Sequence, residues 1–193
     1  MSAELTEIRW HARAGQGAVT AAKLVAEAAL REDRYFQAMP EYGPERMGAP
    51  LKAFTRISDA PIEISNNIEH PDIVVVLDDT LLDSVDVTEG LAADGAVVVN
   101  SPSAPAAIRA QLGLGAGVAV ATVDASAIAL DTIKRDIPNT PIVGALVSVR
   151  PVVALDSVLA QLQATFGKKF AREIIDANLD SVRRAYQEVV YDA

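Results

Sequence analysis

The chain has 193 residues, half of them apolar and only 5% aromatic, with a formal net charge of −9 and no cysteine. Without cysteine there is no disulfide, thiolate-held iron–sulfur cluster or cysteine nucleophile. An acidic chain without a basic run is a poor match to nucleic acid or an anionic membrane, since neither polyanion is attracted to it. His11 and His70 lie far apart and fit no zinc-ligand spacing, so no metal site and no catalytic residue is assigned to the chain.

The N-terminus is acidic and lacks a signal peptide's basic start and apolar core. No apolar run reaches the roughly 20 residues that a membrane span needs, so cytoplasmic residence without membrane insertion is expected. Leu5–Trp10 alternates apolar and polar residues and predicts a first strand. The loop 11–17 follows, then a helix over Ala18–Glu32. Its Ala18, Ala22, Val25 and Ala29 form a small-residue face suited to lying close on a sheet, opposite the charged stripe Lys23, Glu27 and Arg31. A short strand is expected over Arg34–Met39.

Pro40–Pro50 is broken by Gly43, Pro44 and Gly48 and reads as a loop. Leu51–Ser58 alternates again, and after the turn at Asp59-Ala60-Pro61 the triplet Ile62–Ile64 is expected to pair back as a hairpin strand. Three apolar, β-branched runs at 72–78, 95–100 and 117–123 have the composition of central parallel strands buried on both faces. Helices are predicted over Thr80–Leu91 with interruptions, Pro105–Leu112, Ser126–Lys134, Ile142–Val149 (opened by Thr140 as N-cap and Pro141), Asp156–Phe166 and Phe170–Val190. In the last, Ile175, Leu179, Val182, Tyr186 and Val189 define one apolar stripe. Alternation of strand and helix without a linker predicts an α/β fold over 1–193: a single three-layer, Rossmann-like domain with a mostly parallel central sheet.

Two loops carry the candidate chemistry. A strand, a glycine turn and a helix form the layout in which backbone N–H groups and the helix dipole attract an anion, and here Arg13, Gly15, Gln16 and Gly17 occupy the turn. The dinucleotide fingerprint is incomplete, since Thr20 stands where its third glycine belongs. A tight turn that needs glycine for its backbone accounts for the same residues. The second loop holds Glu41, Tyr42, Glu45 and Arg46 among its prolines and glycines, a rigid setting for polar groups. Pinning of the loop by Arg46 to its own carboxylates reads equally well.

The segments His11–Val19, Glu41–Pro50 and Lys52–Ser58 together resemble the gamma subunit of pyruvate and other 2-oxoacid:ferredoxin oxidoreductases. The stretches 71–78, 87–91 and 137–145 follow in family order, so the likeness runs from about Glu7 to Tyr186. The resemblance implies a complex that decarboxylates a 2-oxoacid (pyruvate, a branched-chain or an aryl acid such as phenylglyoxylate) on thiamine diphosphate with magnesium. It would pass electrons through iron–sulfur clusters and the acyl group to coenzyme A. The partners it implies are thiamine-binding alpha and beta subunits and a ferredoxin-like iron–sulfur subunit, with no cofactor held by this chain alone. Its role would be assembly and coenzyme A positioning through Arg13, Gly15, Gln16, Gly17, Glu41, Tyr42, Glu45 and Arg46. The family usually has Gly-Arg-Gly-Gly-Gln-Gly in the first loop, whereas this chain has Ala12 and Ala14, which predicts a stiffer loop. The alternatives are a stand-alone Rossmann-like dinucleotide-binding oxidoreductase and a purely structural scaffold subunit.

Overall fold

The computed structural model describes residues 5–41 and 48–192. Its strands are β1 (Leu5–Arg13), β2 (Tyr35–Pro40), β3 (Pro50–Ser58), β4 (Ile73–Val76), β5 (Ala96–Asn100), β6 (Ala119–Val123) and β7 (Val190–Asp192). They form one seven-stranded sheet in the order β2-β3-β1-β4-β5-β6-β7. The centre, β1-β4-β5-β6, is parallel, and the two margins are antiparallel through β3, β2 and β7. Central strands read as unbroken valine runs because both of their faces are covered: Val74 to Val76 and Val97 to Val99 are completely buried.

The helices are α1 (Ala18–Leu30), α2 (Pro105–Leu112), α3 (Ala125–Thr132), α4 (Asn139–Val149), α5 (Leu155–Phe166) and α6 (Arg172–Glu188). One face of the sheet packs against α1, α3, α4, α5 and α6 in the larger core, which includes Trp10, Val25, Ile142, Leu146, Leu162 and Val182. The other face carries a smaller core of Val74, Val97, Leu81, Val87 and Ile108, the last supplied by α2. The predicted small-residue face of α1 is the buried one: Ala18, Ala22, Val25 and Ala29 are all within 1% of full burial. That closeness lets the Ala22 carbonyl accept from Thr55 Oγ1 at 3.0 Å, while Thr55 accepts from Trp10 Nε1 at 3.1 Å. Thr55→Val would strand the indole N–H and the Ala22 carbonyl in the core. We expect a loss of about 1–3 kcal/mol in urea unfolding, the usual cost of unsatisfied buried groups.

Four expectations are corrected. Thr80–Leu91 is not a helix: a single 3₁₀ turn, Asp79–Asp83, gives way to turns in which Asp86 accepts from the N–H and hydroxyl of Thr88. Side-chain capping of this sort competes with a helix for the backbone. Ile62–Ile64 forms no strand; the Gln37 amide takes the carbonyls of Ile62 and Ile64 instead. The fourth helix starts at Asn139 with Pro138 as N-cap, because the Thr140 hydroxyl is engaged with Asn178 of α6 at 2.9 Å. The last helix ends at Glu188, and Val190–Asp192 runs on as β7 beside β6. Of the predicted α6 stripe, Ile175, Leu179, Val182 and Val189 do pack on the core, joined by the buried Asn178 and Ser181, while Tyr186 is 37% exposed.

Candidate functional site

After β1 the chain turns through α1 towards the β2 side of the sheet, and after β4 it crosses to β5 on the opposite side. The crevice above the C-terminal ends of β1 and β4 is therefore the switch point of the sheet, where ligands of open α/β folds settle. The first loop fills it. Gly15 and Gly17 have φ of +103° and +82°, a left-handed conformation that side chains disfavour. At Gly17 a Cβ would also fall 2.5 Å from the Asn139 amide at the start of α4. Ala12 and Ala14 are outside that region, because no non-glycine residues but Asp33 and Lys134 have positive φ among the described residues. Thus the two alanines that depart from the family pattern occupy positions that do not need glycine.

Polar contacts then stitch this loop to both its neighbours. The Gln16 carboxamide accepts from the Arg13 N–H at 2.8 Å and donates to Asp78 Oδ2, just beyond β4, at 2.7 Å. Arg13 spreads its guanidinium over Thr80 Oγ1 at 2.8 Å, the Gly48 carbonyl at 3.2 Å and the Asp78 carboxylate at 3.4 Å. Burial pushes the Asp78 carboxyl up, but the Thr80 and Gln16 hydrogen bonds and the Arg13 charge together hold it below the usual carboxylate range. The junction stays ionised, with its charge balanced inside the loop.

The second loop is anchored at both described ends. Glu41 N–H donates to the Lys52 carbonyl at 3.0 Å; beyond it, Ala14 N–H donates to the Ala49 carbonyl at 2.9 Å and Gly48 N–H to the Ala14 carbonyl at 3.3 Å. The structure thus brings Arg13, Gly15, Gln16 and Gly17 to the same crevice as the Gly48–Ala49 end, with Glu41 exposed at the other end. Tyr42, Glu45 and Arg46 lie outside the described residues.

Asp78 and Thr80 are not legible as partners of Arg13 in residue order, for they are 65 and 67 residues away and only the β1–β4 pairing joins them. Nor did residue order reveal the buried cation on the same strand, β1. Arg9, 3% exposed, donates through Nε to His11 Nε2 at 3.1 Å and through its terminal nitrogen to the Val87 carbonyl at 3.1 Å and the Glu89 carbonyl. Because Arg9 donates, His11 Nε2 holds a lone pair and the neutral ring carries its proton on Nδ1. Burial first, then the nearby Arg9 and Lys52 charges, drive the imidazole down to about 3, against a weaker opposing pull from Asp86. Among the described residues no group of three or more acidic or histidine side chains is placed to hold a metal ion, and no helix is long and apolar enough to cross a membrane.

Parallel strands, helices on both faces and a glycine loop at the switch point define a Rossmann-like α/β protein. The chain belongs to the pyruvate ferredoxin/flavodoxin oxidoreductase family, whose pattern matches residues 7–188, and within it to the gamma subunits of pyruvate and other 2-oxoacid:ferredoxin oxidoreductases. It is 50% identical over 183 residues to the pyruvate synthase subunit PorC of Thermotoga maritima, covering 95% of this chain and 94% of that one. To the pyruvate/ketoisovalerate oxidoreductases common subunit gamma of Thermococcus litoralis it is 44% identical, covering 97% and 100%. The crystal structure of the Thermotoga subunit superposes with a TM-score of 0.87, at 45% identity over 98% of this chain and 99% of that one. The same fold recurs in 31% of a chain of the Magnetococcus marinus 2-oxoglutarate:ferredoxin oxidoreductase, a structure with 2-oxoglutarate, coenzyme A and succinyl-CoA bound, at a TM-score of 0.73 and 17% identity over 95% of this chain.

Proposed function

We propose that residues 1–193 act as one domain, in the cytoplasm, within a complex that decarboxylates a 2-oxoacid on thiamine diphosphate and delivers the acyl group to coenzyme A. In this reading thiamine-binding and iron–sulfur subunits carry the reaction, since a chain without cysteine has no ligands for a cluster. This chain contributes assembly and the positioning of coenzyme A beside its two stitched loops. The observation that carries the reading is the Arg13 junction at the switch point, which ties the first loop to Asp78 and Thr80 and to the Gly48 end of the second loop.

All three guanidinium nitrogens of Arg13 are engaged within the protein. A phosphate of the coenzyme would compete with those contacts, so Arg13 is read as a positioning residue for the loop pair. Arg13→Ala in the assembled complex should raise the KM for coenzyme A about tenfold while leaving the KM for the 2-oxoacid within twofold, one charge-assisted contact being worth about 1.5–3 kcal/mol. An unchanged coenzyme A dependence in an intact complex would instead assign the chain a scaffold role alone.

A further inference from the structure

On the far side of the Gly17–Asn139 contact from the Arg13 junction, a groove of about 690 Å³ opens between α1, the connection from α3 to α4, and the junction of α5 with α6. Its walls are Val19, Leu24, Ile137, Phe166, Phe170 and Ile174. Single apolar side chains on a surface are ordinary, but here Val19, Phe170 and Ile174 are 42%, 46% and 47% exposed along one opening. Phe170 is held in place there by an edge-to-face contact with Phe166, their centroids 5.2 Å apart. Two of the polar groups on its floor are occupied with each other and with backbone. Thr140 Oγ1 donates to Asn178 Oδ1 at 2.9 Å, and the Asn178 amide donates to the Ile174 carbonyl at 2.7 Å.

Charge sets the character of the occupant. Arg135 and Lys169 line the groove, are exposed, and form no ion pair among the described residues, whereas Lys23 is answered by Glu27 at 3.5 Å. Both cations follow helix C-termini, which favours positive charge nearby but does not explain an apolar opening between them. In a chain of net charge −9 this is a locally basic frame around an apolar floor.

Building on the chain's membership of a subunit family, we infer that the groove receives a segment of another subunit of the same complex, one that presents a large apolar side chain flanked by carboxylates. The apolar walls supply the anchor, and Arg135 and Lys169 select the acidic flank and speed encounter.

The native complex tests this directly. Zero-length carbodiimide coupling, mapped by mass spectrometry, should join Lys169 to a carboxylate of another subunit. Phe170→Asp should weaken assembly about 30-fold, the loss of one anchor residue. The double variant Arg135→Glu/Lys169→Glu alters only exposed charges and should slow association about tenfold in dilute buffer, an effect that shrinks as salt rises. Thermal melts of each purified variant separate weakened docking from misfolding. Coupling of Lys169 confined to carboxylates of its own chain overturns the inference, as does wild-type affinity in the charge-reversed variant. A wild-type chain that assembles with no other subunit overturns the subunit reading itself, which is a different outcome from an intact complex indifferent to these substitutions.

Discussion

Replacing Gly144 with alanine is expected to lower the melting temperature by about 5–10 °C. Gly144 lies in α4 where that helix crosses α6, and a Cβ built on it falls 2.1 Å from the Val182 carbonyl oxygen and 2.9 Å from its carbon. Those neighbours are backbone, so no side chain can rotate away. The two helices must separate by about 1 Å to relieve the contact, and the buried seam containing Leu146, Leu179 and Val182 would loosen with them. Two effects oppose each other. Alanine in a helix interior gains about 1 kcal/mol of propensity over glycine, while overpacking a close helix crossing costs about 1–3 kcal/mol and occasionally more. With contact this short against backbone the clash exceeds that usual range, at about 3–4 kcal/mol, and leaves a net loss of about 2–3 kcal/mol. Each kilocalorie corresponds to roughly 2–4 °C in a chain of this length. Differential scanning calorimetry of the purified variant gives the shift; a rise in melting temperature would mean that α4 is free to move on α6.

That crossing also marks what was readable from residue order. The valine runs, the alanine face of α1 and the alternation in β1 and β3 each report burial through a local pattern, so the central sheet and its main helix were legible. Buried polar residues send the opposite signal. Asn178 and Ser181 look like solvent positions, yet they fill the α4–α6 seam because Thr140 and the Asn178 carbonyl satisfy them there. The strand β7 was hidden for a related reason. Val189 still fits the helical stripe of α6, and only pairing of Val190–Asp192 with Val120–Thr122 of β6 turns the following residues into a strand. In the crevice, the glycines of the first loop were visible because their positive φ constrains residue type locally. The partnership of Arg13 with Asp78 and Thr80 depends on strand order, which no local pattern encodes.

The largest pH effect should come from His11, and its direction is the reverse of the more familiar histidine ion pair. The folded ring is buried, accepts from Arg9 Nε at 3.1 Å, and has its pKa pushed down to about 3 by burial and by the Arg9 and Lys52 charges. In the unfolded chain the same imidazole titrates near 6.5. Between those values the unfolded state carries the extra proton, so acid favours unfolding and stability rises with pH through this window. At pH 5 the deficit relative to neutral pH is about 2 kcal/mol, since 1.5 units below 6.5 at 1.36 kcal/mol per unit depends only on the folded ring staying neutral. Urea titrations at pH 5, 6 and 7.5 read this as a fall in the midpoint towards acid. His11→Gln keeps an acceptor in reach of Arg9 but has no proton to take up, and its midpoint should change little from pH 7.5 to 5.5, before most carboxylates begin to protonate. An equal slope in wild type and variant would place the proton uptake elsewhere. Protonation would turn an N–H of the ring towards the Arg9 cation and remove the acceptor that, with the Val87 and Glu89 carbonyls, holds that cation in the fold, so the neutral ring is the one the buried guanidinium requires.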